Sequence, residues 1–434
     1  MNSVYIETYG CQMNVYDTEI VESILRRDGY VMSNDPEGAS IILLNTCSVR
    51  ENAHQKVFRR IDALKLLKKS NGKMILGVIG CMAQCLKDEL LEEGLGVDII
   101  AGPDTYKDLP DLISRFRATG VKDSELKLSR TETYSDVFPT HDEGANAFIA
   151  VMRGCDNVCS FCIVPYARGR ERSRDPENVI EEARELAEQG FKQITLLGQN
   201  VNSYKYEGCT FADLIERVSE VDGIRRIRFT SPHPKDFPAR LIEVVRDNPK
   251  VCKHIHLPLQ SGNNRILEMM RRTYTQTEYI GLASIMRKQI PTVVLTTDVI
   301  VGFPTETEEE YQDTLRVMRS VEFDSAFMFK YSERKHTLAE RKYADDVSDE
   351  DKTSRITRLV DLQRKTSFKR NSAHLGEVFE VLVEGRGKKP DQLLGRNDGN
   401  KIVVFPDNGA RVGEFVNVRV DEVTPNTLIG VSVD

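Results

Sequence analysis

The sequence predicts an α/β protein of three units: a parallel-sheet amino-terminal domain, a TIM-like (β/α)6 barrel, full or partial, and a small all-β carboxy-terminal barrel. Short apolar runs alternate with helical stretches twice, and a polar stretch without periodicity separates the two series. After His374 the pattern changes to short alternating strands. A length of 434 residues with 40% apolar side chains leaves ample core for two or three domains, which excludes a disordered or fibrous chain.

In the first series, Val4-Tyr5-Ile6, Ile41 to Leu44 and Met74 to Ile79 read as strands, with helical stretches at Val15 to Arg27 and Glu51 to Lys69 between them. That is a βαβαβ pattern and implies a parallel sheet over residues 1–118. Residues 119–144 read as a linker. The second series, residues 145–371, has six candidate strands: Phe148–Met152, Gln193–Leu197, Arg226–Phe229, His254–Leu257, Val293–Val301 and Ser325–Phe329. Helical patterns such as Val179–Gln189 and Glu308–Arg319 lie between them, and a charged helix from Ser348 to Arg370 ends the unit. In residues 373–434, strands at Val378–Val383, Lys401–Phe405 and Phe415–Val420 surround turn signals at Asn397-Asp398-Gly399-Asn400 and Asp407-Asn408-Gly409.

No apolar run is long enough to span a membrane, and the start lacks the basic and apolar regions of a signal peptide, so a cytoplasmic location is expected. In a reducing compartment the nine cysteines are expected to bind metal or do chemistry rather than pair. A net charge of −7 argues against indiscriminate nucleic-acid binding, so any RNA contact must come from local basic surface.

Cys155, Cys159 and Cys162 form a CxxxCxxC triplet directly after the first barrel strand, at the end where barrel active sites form. Three thiolates on a 4Fe–4S cluster leave one iron open, which the amino and carboxylate groups of S-adenosylmethionine can occupy. A structural zinc site is the alternative, but it needs a fourth ligand at local spacing, and the nearest candidate is His141 upstream. Cys11, Cys47 and Cys81 each follow a predicted strand of the first domain. In a parallel sheet such ends share one edge, so the three can converge, although buried inert thiols are the commoner explanation for scattered cysteines. Cys85, Cys209 and Cys252 read as spectators.

The central triplet resembles the signature of the radical S-adenosylmethionine superfamily. Leu197-Gly198-Gln199-Asn200, His256 to Gly262 and Val299 to Glu306 are similar to its cofactor loops. The resemblance implies cofactor contacts from Phe161, Gln199, Gln260, Ser261 and Gly302. The simpler alternatives are turn geometry for the glycines and a strand-end hydrogen bond for Gln199.

Gly10 to Asn14, Asn45 to Arg50 and Gly80 to Gln84 resemble the three amino-terminal motifs of the methylthiotransferase family. In that family the matching cysteines, here Cys11, Cys47 and Cys81, hold an auxiliary 4Fe–4S cluster. The likeness spans essentially the whole chain and implies a carboxy-terminal TRAM domain.

Arg153 to Asn157, Arg168 to Arg174 and Leu196 to Tyr204 are similar to the subgroup that converts N6-dimethylallyladenosine, beside the tRNA anticodon, to its 2-methylthio form. Rival substrates within the family are threonylcarbamoyladenosine of tRNA and a ribosomal-protein aspartate. A rival of another class is a non-catalytic zinc protein that binds RNA. The chain departs from the subgroup at Pro232, between Ser231 and His233, and at Lys335-His336-Thr337-Leu338, which leaves His233 and the loop near Thr337 without an assigned role.

The resemblance implies two 4Fe–4S clusters and two S-adenosylmethionine molecules per turnover, one cleaved to a radical that removes the ring hydrogen and one methylating the sulfur of the auxiliary cluster. It also implies an electron donor such as flavodoxin or ferredoxin and an anticodon stem-loop as partner, while no motif specifies the sulfur donor. For the RNA, Tyr166 with Arg168, Arg170, Arg172 and Arg174 offers a ring for stacking and charge for phosphate, the alternative being an ion-paired face. In the carboxy-terminal barrel acidic residues outnumber basic ones, so RNA binding there rests on the resemblance.

Overall fold

The computed structural model describes residues 2–48, 51–92, 94–141 and 144–433, without the side chains of 51–53 and 236. Val49 and Arg50, which close the second amino-terminal motif, lie outside the described residues, as do Asp142 and Glu143 of the expected linker and Asp434. Among the described residues no helix is long and apolar enough to cross a membrane.

The amino-terminal sheet has six parallel strands, in spatial order Val31–Met32, Ser3–Tyr9, Ile41–Thr46, Ile75–Gly80, Ile99–Ala101 and Asp123–Glu125. The two central strands, IILLNT and ILGVIG, are buried throughout, as a parallel sheet covered on both faces requires. The stretch read as a linker belongs partly to this domain. Asp123–Glu125 pairs in parallel with Ile99–Ala101, and Tyr134 and Val137 are buried in the same core. Asp-Ser-Glu carries no apolar signal because it is an edge strand with half-exposed side chains.

The middle unit is an open barrel of parallel strands. Asn146–Ala150, Gln193–Leu197 and Arg226–Phe229 form one run, and His254–His256, Val294–Val301 and Ser325–Lys330 form another. A bridge between Ile227 and Val251 connects them. No pairing among the described residues joins the last strand to the first, so the barrel is partial. Helices such as Phe211–Ser219 and Glu308–Val321 bury an apolar face, and five helices of this unit begin at a Thr or Ser whose hydroxyl accepts from the third helical amide: Thr210, Thr275, Thr307, Thr337 and Ser348. The helix Gln12–Arg27 of the first domain packs against the barrel strand Asn146–Ala150, so Ala150 and Leu197 share a core with Ile20 and Tyr16.

The carboxy-terminal unit is a closed five-stranded barrel, Val378–Arg386, Gln392–Arg396, Ile402–Pro406, Thr427–Ser432 and Phe415–Val423 in spatial order. Two of its strands, QLLGR and TLIGVS, escape sequence reading because a central glycine interrupts an already short alternation. The Asn397–Asn400 turn seats against the amino ends of the open barrel's strands. Arg228 donates to the carbonyls of Asp398 at 2.8 Å and Asn397 at 2.7 Å, and Lys401 reaches Asp324 at 2.9 Å. A Cβ on Gly399 would lie 2.5 Å from Val294 Cγ2, so only glycine fits this contact.

Candidate metal centres and the cleft between them

Cys11 caps the helix that follows the first strand, Cys47 follows Ile41–Thr46, and Cys81 begins the helix after Ile75–Gly80. All three leave adjacent parallel strands at the same edge, and the fold brings them together. A hydrogen bond with Cys47, aided by Arg168 and the amides of Asn14 and Met13, draws the Cys11 thiol down to about 6. Burial raises the Cys81 thiol, while Arg168 Nε, 3.1 Å from its sulfur, opposes that rise. Asn14 and Asn45 tie the strand ends together, Asn14 Nδ2 donating to Asn45 Oδ1 at 3.1 Å.

The second triad sits on the loop after Asn146–Ala150. Gly154 has φ +76°, and a Cβ there would lie 2.0 Å from the Arg170 carbonyl oxygen, so glycine is obligatory before Cys155. The loop is pinned from two sides: Ser160 Oγ donates to Met269 O at 2.8 Å, and Ala339 N donates to Ser160 O at 2.7 Å. The second bond gives the Thr337 loop a task, since buried Thr337 caps the helix that presents Ala339. Arg272 Nη1 lies 3.3 Å from Cys159 Sγ. Burial pushes Cys155 up to about 11 and Cys162 up to about 12, so ligation at this site displaces protons.

Both sets fit an iron–sulfur cluster in donor chemistry: three thiols, and one buried guanidinium offsetting the negative charge of a thiolate-bound cluster. Among the described residues no three Cys, His, Asp or Glu side chains close around one ion-sized point.

Of the residues expected to meet S-adenosylmethionine, all lie at the carboxyl end of the barrel, with different surroundings. The Gln199 Oε1 and Asn200 Oδ1 atoms are buried without a protein partner, as a site awaiting a polar ligand would leave them. Phe161 packs beside Met270, Phe303 and Tyr331. Gln260, at φ +66°, exchanges backbone hydrogen bonds with Asp298 and Ile300, and the fully buried Ser261 accepts from Asn263 N at 3.3 Å. Gly302 (φ +70°) donates to Glu306 Oε2 at 2.7 Å and abuts the Lys352 side chain, which matches the turn reading.

The arginine run is corrected by the structure. Arg168, Arg172 and Arg174 are buried and ion-paired, to Asp17 at 2.7 Å, Asp104 at 2.8 Å and Glu182 at 2.7 Å. The Arg168 and Arg172 pairs lock the first domain to the barrel, and Arg174, paired within the barrel, donates to the Tyr16 hydroxyl of the first domain at 3.0 Å, so only Arg170, with 77% of its side chain exposed, and Tyr166 remain at the surface. His233, left without a role, is a buried neutral ring against Tyr274, pushed down to about 3 by burial and then by Arg272 and Lys235. Cys85 and Cys252 are pushed up to about 12 by burial.

Asp17, Arg153 and Arg272 complete the site and carry no expected role from sequence. Asp17 had a signal: it falls inside the helix's apolar stripe of Met13, Tyr16, Ile20, Val21 and Ile24. Burial alone would raise its carboxyl, but Arg168 and Arg153 hold it below the usual range. A cleft of about 480 Å³ opens at the domain boundary, lined by Ser48, Phe58, Arg59 and Cys85 from the first domain and by Ile163 and Lys335 from the barrel; Ser48 and Ile163 are the chain neighbours of Cys47 and Cys162.

Residues 3–102 match the model of Uncharacterized protein family UPF0004, residues 149–318 the Radical SAM superfamily and residues 373–433 the TRAM domain. A tRNA-2-methylthio-N(6)-dimethylallyladenosine synthase of Chloroherpeton thalassium is 47% identical over 98% of this chain and 95% of its own. A protein of the same name from Porphyromonas gingivalis is 46% identical over 99% and 95%. Among solved structures, the radical S-adenosylmethionine methyltransferase TsrM from Kitasatospora setae matches with a TM-score of 0.58 at 15% identity, covering 78% of this chain and 75% of that one. That likeness concerns the fold alone.

Proposed function

Because this chain belongs to the family of tRNA-2-methylthio-N(6)-dimethylallyladenosine synthases, we propose that it exchanges the hydrogen on carbon 2 of N6-dimethylallyladenosine, beside the tRNA anticodon, for a methylthio group. It is a tRNA-modifying radical S-adenosylmethionine enzyme. The observation that carries the finer reading is that the helix Val164–Arg168, two residues beyond Cys162, packs against Cys81–Cys85 of the first domain and sets Arg168 Nε 3.1 Å from the Cys81 sulfur.

In this reading Cys155, Cys159 and Cys162 hold the cluster that binds S-adenosylmethionine, and Cys11, Cys47 and Cys81 hold an auxiliary cluster. When bound, these groups supply the C–H cleavage and the sulfur and methyl transfer that protein side chains cannot perform. The chain itself positions and encloses. Gln199 offers its orphaned oxygen to the cofactor, Arg272 donates to the Cys159 sulfur, and the Phe58 ring and Arg59 charge of the cleft suit a splayed-out base and its phosphate. Tyr166 and Arg170 are the surface remnant of the arginine run available to RNA. A small electron carrier such as flavodoxin or ferredoxin would reduce the enzyme, and two S-adenosylmethionine molecules would be used per turnover.

The test is incubation of the reconstituted, reduced protein with tRNA bearing dimethylallyladenosine, tRNA bearing threonylcarbamoyladenosine, and the ribosomal protein, followed by mass spectrometry. Methylthiolated product from the first alone is expected. Product only from another substrate overturns the substrate assignment. Iron analysis tests the cofactors separately: about eight irons per chain are expected for two clusters, and about four would refute the auxiliary site.

A further inference from the structure

Each triad is accompanied by one buried arginine whose guanidinium reaches a cysteine sulfur, but the two arginines differ in origin. Arg272 belongs to the same domain as Cys159. Arg168 does not belong to the domain of Cys81. It ends the helix Val164–Arg168, which begins two residues after Cys162, and that helix packs against Cys81–Cys85 of the first domain. The loop of the radical triplet thus reaches across the domain boundary and sets Nε of Arg168 3.1 Å from the Cys81 sulfur.

The guanidinium is held there by a second contact. Arg168 Nη2 donates to Asp17 Oδ2 at 2.7 Å, and Asp17 is itself held by Arg153 and by the Tyr106 hydroxyl at 3.2 Å. Arg168 is only 3% exposed, and Asp17 and Arg153 are equally buried. A guanidinium fixed at two points in a medium of low dielectric acts on a neighbouring sulfur far more strongly than a solvated one.

We propose that Arg168 is a positioning residue of the amino-terminal triad, by which the radical domain completes the surroundings of the auxiliary cluster and sets its reduction potential. This rests on the reading that Cys11, Cys47 and Cys81 hold that cluster. A hydrogen bond and a positive charge at a ligand sulfur favour the reduced, more negative cluster, so removing them lowers the potential. Lysine keeps the charge but cannot hold Cys81 and Asp17 with a planar fork, so its effect is smaller.

The experiment uses the full chain with Cys155, Cys159 and Cys162 all changed to Ala, so that only the amino-terminal triad can hold a cluster. It is reconstituted with iron and sulfide and titrated electrochemically with spectroscopic detection, with Arg168→Gln and Arg168→Lys compared in this background. Failure of the Arg168-containing parent to bind a cluster would sink the auxiliary-site reading, independently of Arg168. Given a cluster, Arg168→Gln is expected to weaken the reduced form about tenfold, which is about 59 mV for one electron, with Arg168→Lys in between. Unchanged potentials in both variants overturn the proposal. Should Arg168→Gln fail to hold a cluster, Arg168→Lys decides: a lowered potential supports the proposal and the parent's value overturns it. Loss of the cluster in both variants supports a positioning role if the thermal midpoint is kept. If the midpoint collapses as well, Arg168 is a structural tether and the proposal fails.

Discussion

Asp17 shows how one residue can decide an interface. A carboxylate with no exposed surface is costly unless paired, and here two guanidiniums of the neighbouring domain, Arg153 and Arg168, satisfy it. His233 is the opposite case, a buried ring kept neutral. Its folded value of about 3 lies below the ordinary 6.5, so the unfolded chain binds the extra proton. Stability tied to this group is complete above pH 6.5, falls as pH drops below it, and is fully lost near pH 3. Between pH 7 and 5 the loss is about 2 kcal/mol. Asparagine can keep the ring's acceptor for the Lys235 amide, a contact of 3.2 Å, without titrating. His233→Asn is therefore expected to flatten the acid limb of urea-unfolding stability by about that amount. An unchanged slope would show that His233 does not carry the charge-dependent term.

At the scale of elements, the loop between the strands Asn146–Ala150 and Arg172–Ser173 and its short helix do more than present three cysteines. Gly154 turns the chain where a side chain would strike the Arg170 carbonyl, and Ser160 anchors the far side of the loop to two other segments. Gly154→Ala must distort the loop, at a cost of about 1–3 kcal/mol. We expect iron content to fall from about eight toward about four per chain, the amino-terminal site being spared. Retention of all the iron would show that the loop tolerates the turn's loss. The arginine segment after this loop shows why composition misleads. Four arginines around one glutamate look like an RNA surface, yet alternate positions 168, 172 and 174 point into acidic partners supplied by Asp17, Asp104 and the following helix.

At the scale of the whole molecule, the Cys155, Cys159 and Cys162 triad and the carboxy-terminal barrel occupy opposite rims of the open barrel. The Asn397–Asn400 turn meets Arg228 and Lys253, and Arg226 donates to the preceding Arg396 carbonyl, at the amino ends of the strands, whereas Cys155, Gln199 and Gln260 lie at the carboxyl ends. An RNA that touches both must run along the side of the barrel, a span on the order of one strand length, ~17–20 Å. Arg228→Ala takes the donor from the Asp398 carbonyl and one of two donors from the Asn397 carbonyl, which keeps Asn400 N, at a cost of about 1–3 kcal/mol. The expected result is faster hydrogen exchange in Gln392–Pro406 with unchanged exchange in the amino-terminal sheet. Unchanged exchange in both would place the anchor elsewhere, Lys401 and Asp324 being the next candidates. The sequence by itself determined the class of each unit, the edge at which both cysteine sets emerge, and the spacing that marks the radical triplet, because strand alternation, turn residues and motif spacing are short-range properties. Contacts between distant segments decided that the supposed linker adds the edge strand of the first sheet, that most of the arginine run is internal, and that Arg168, from the loop of the radical triplet, reaches the Cys81 sulfur. Those outcomes depend on which buried charges from distant segments face one another across a domain boundary, and no local pattern encodes that pairing.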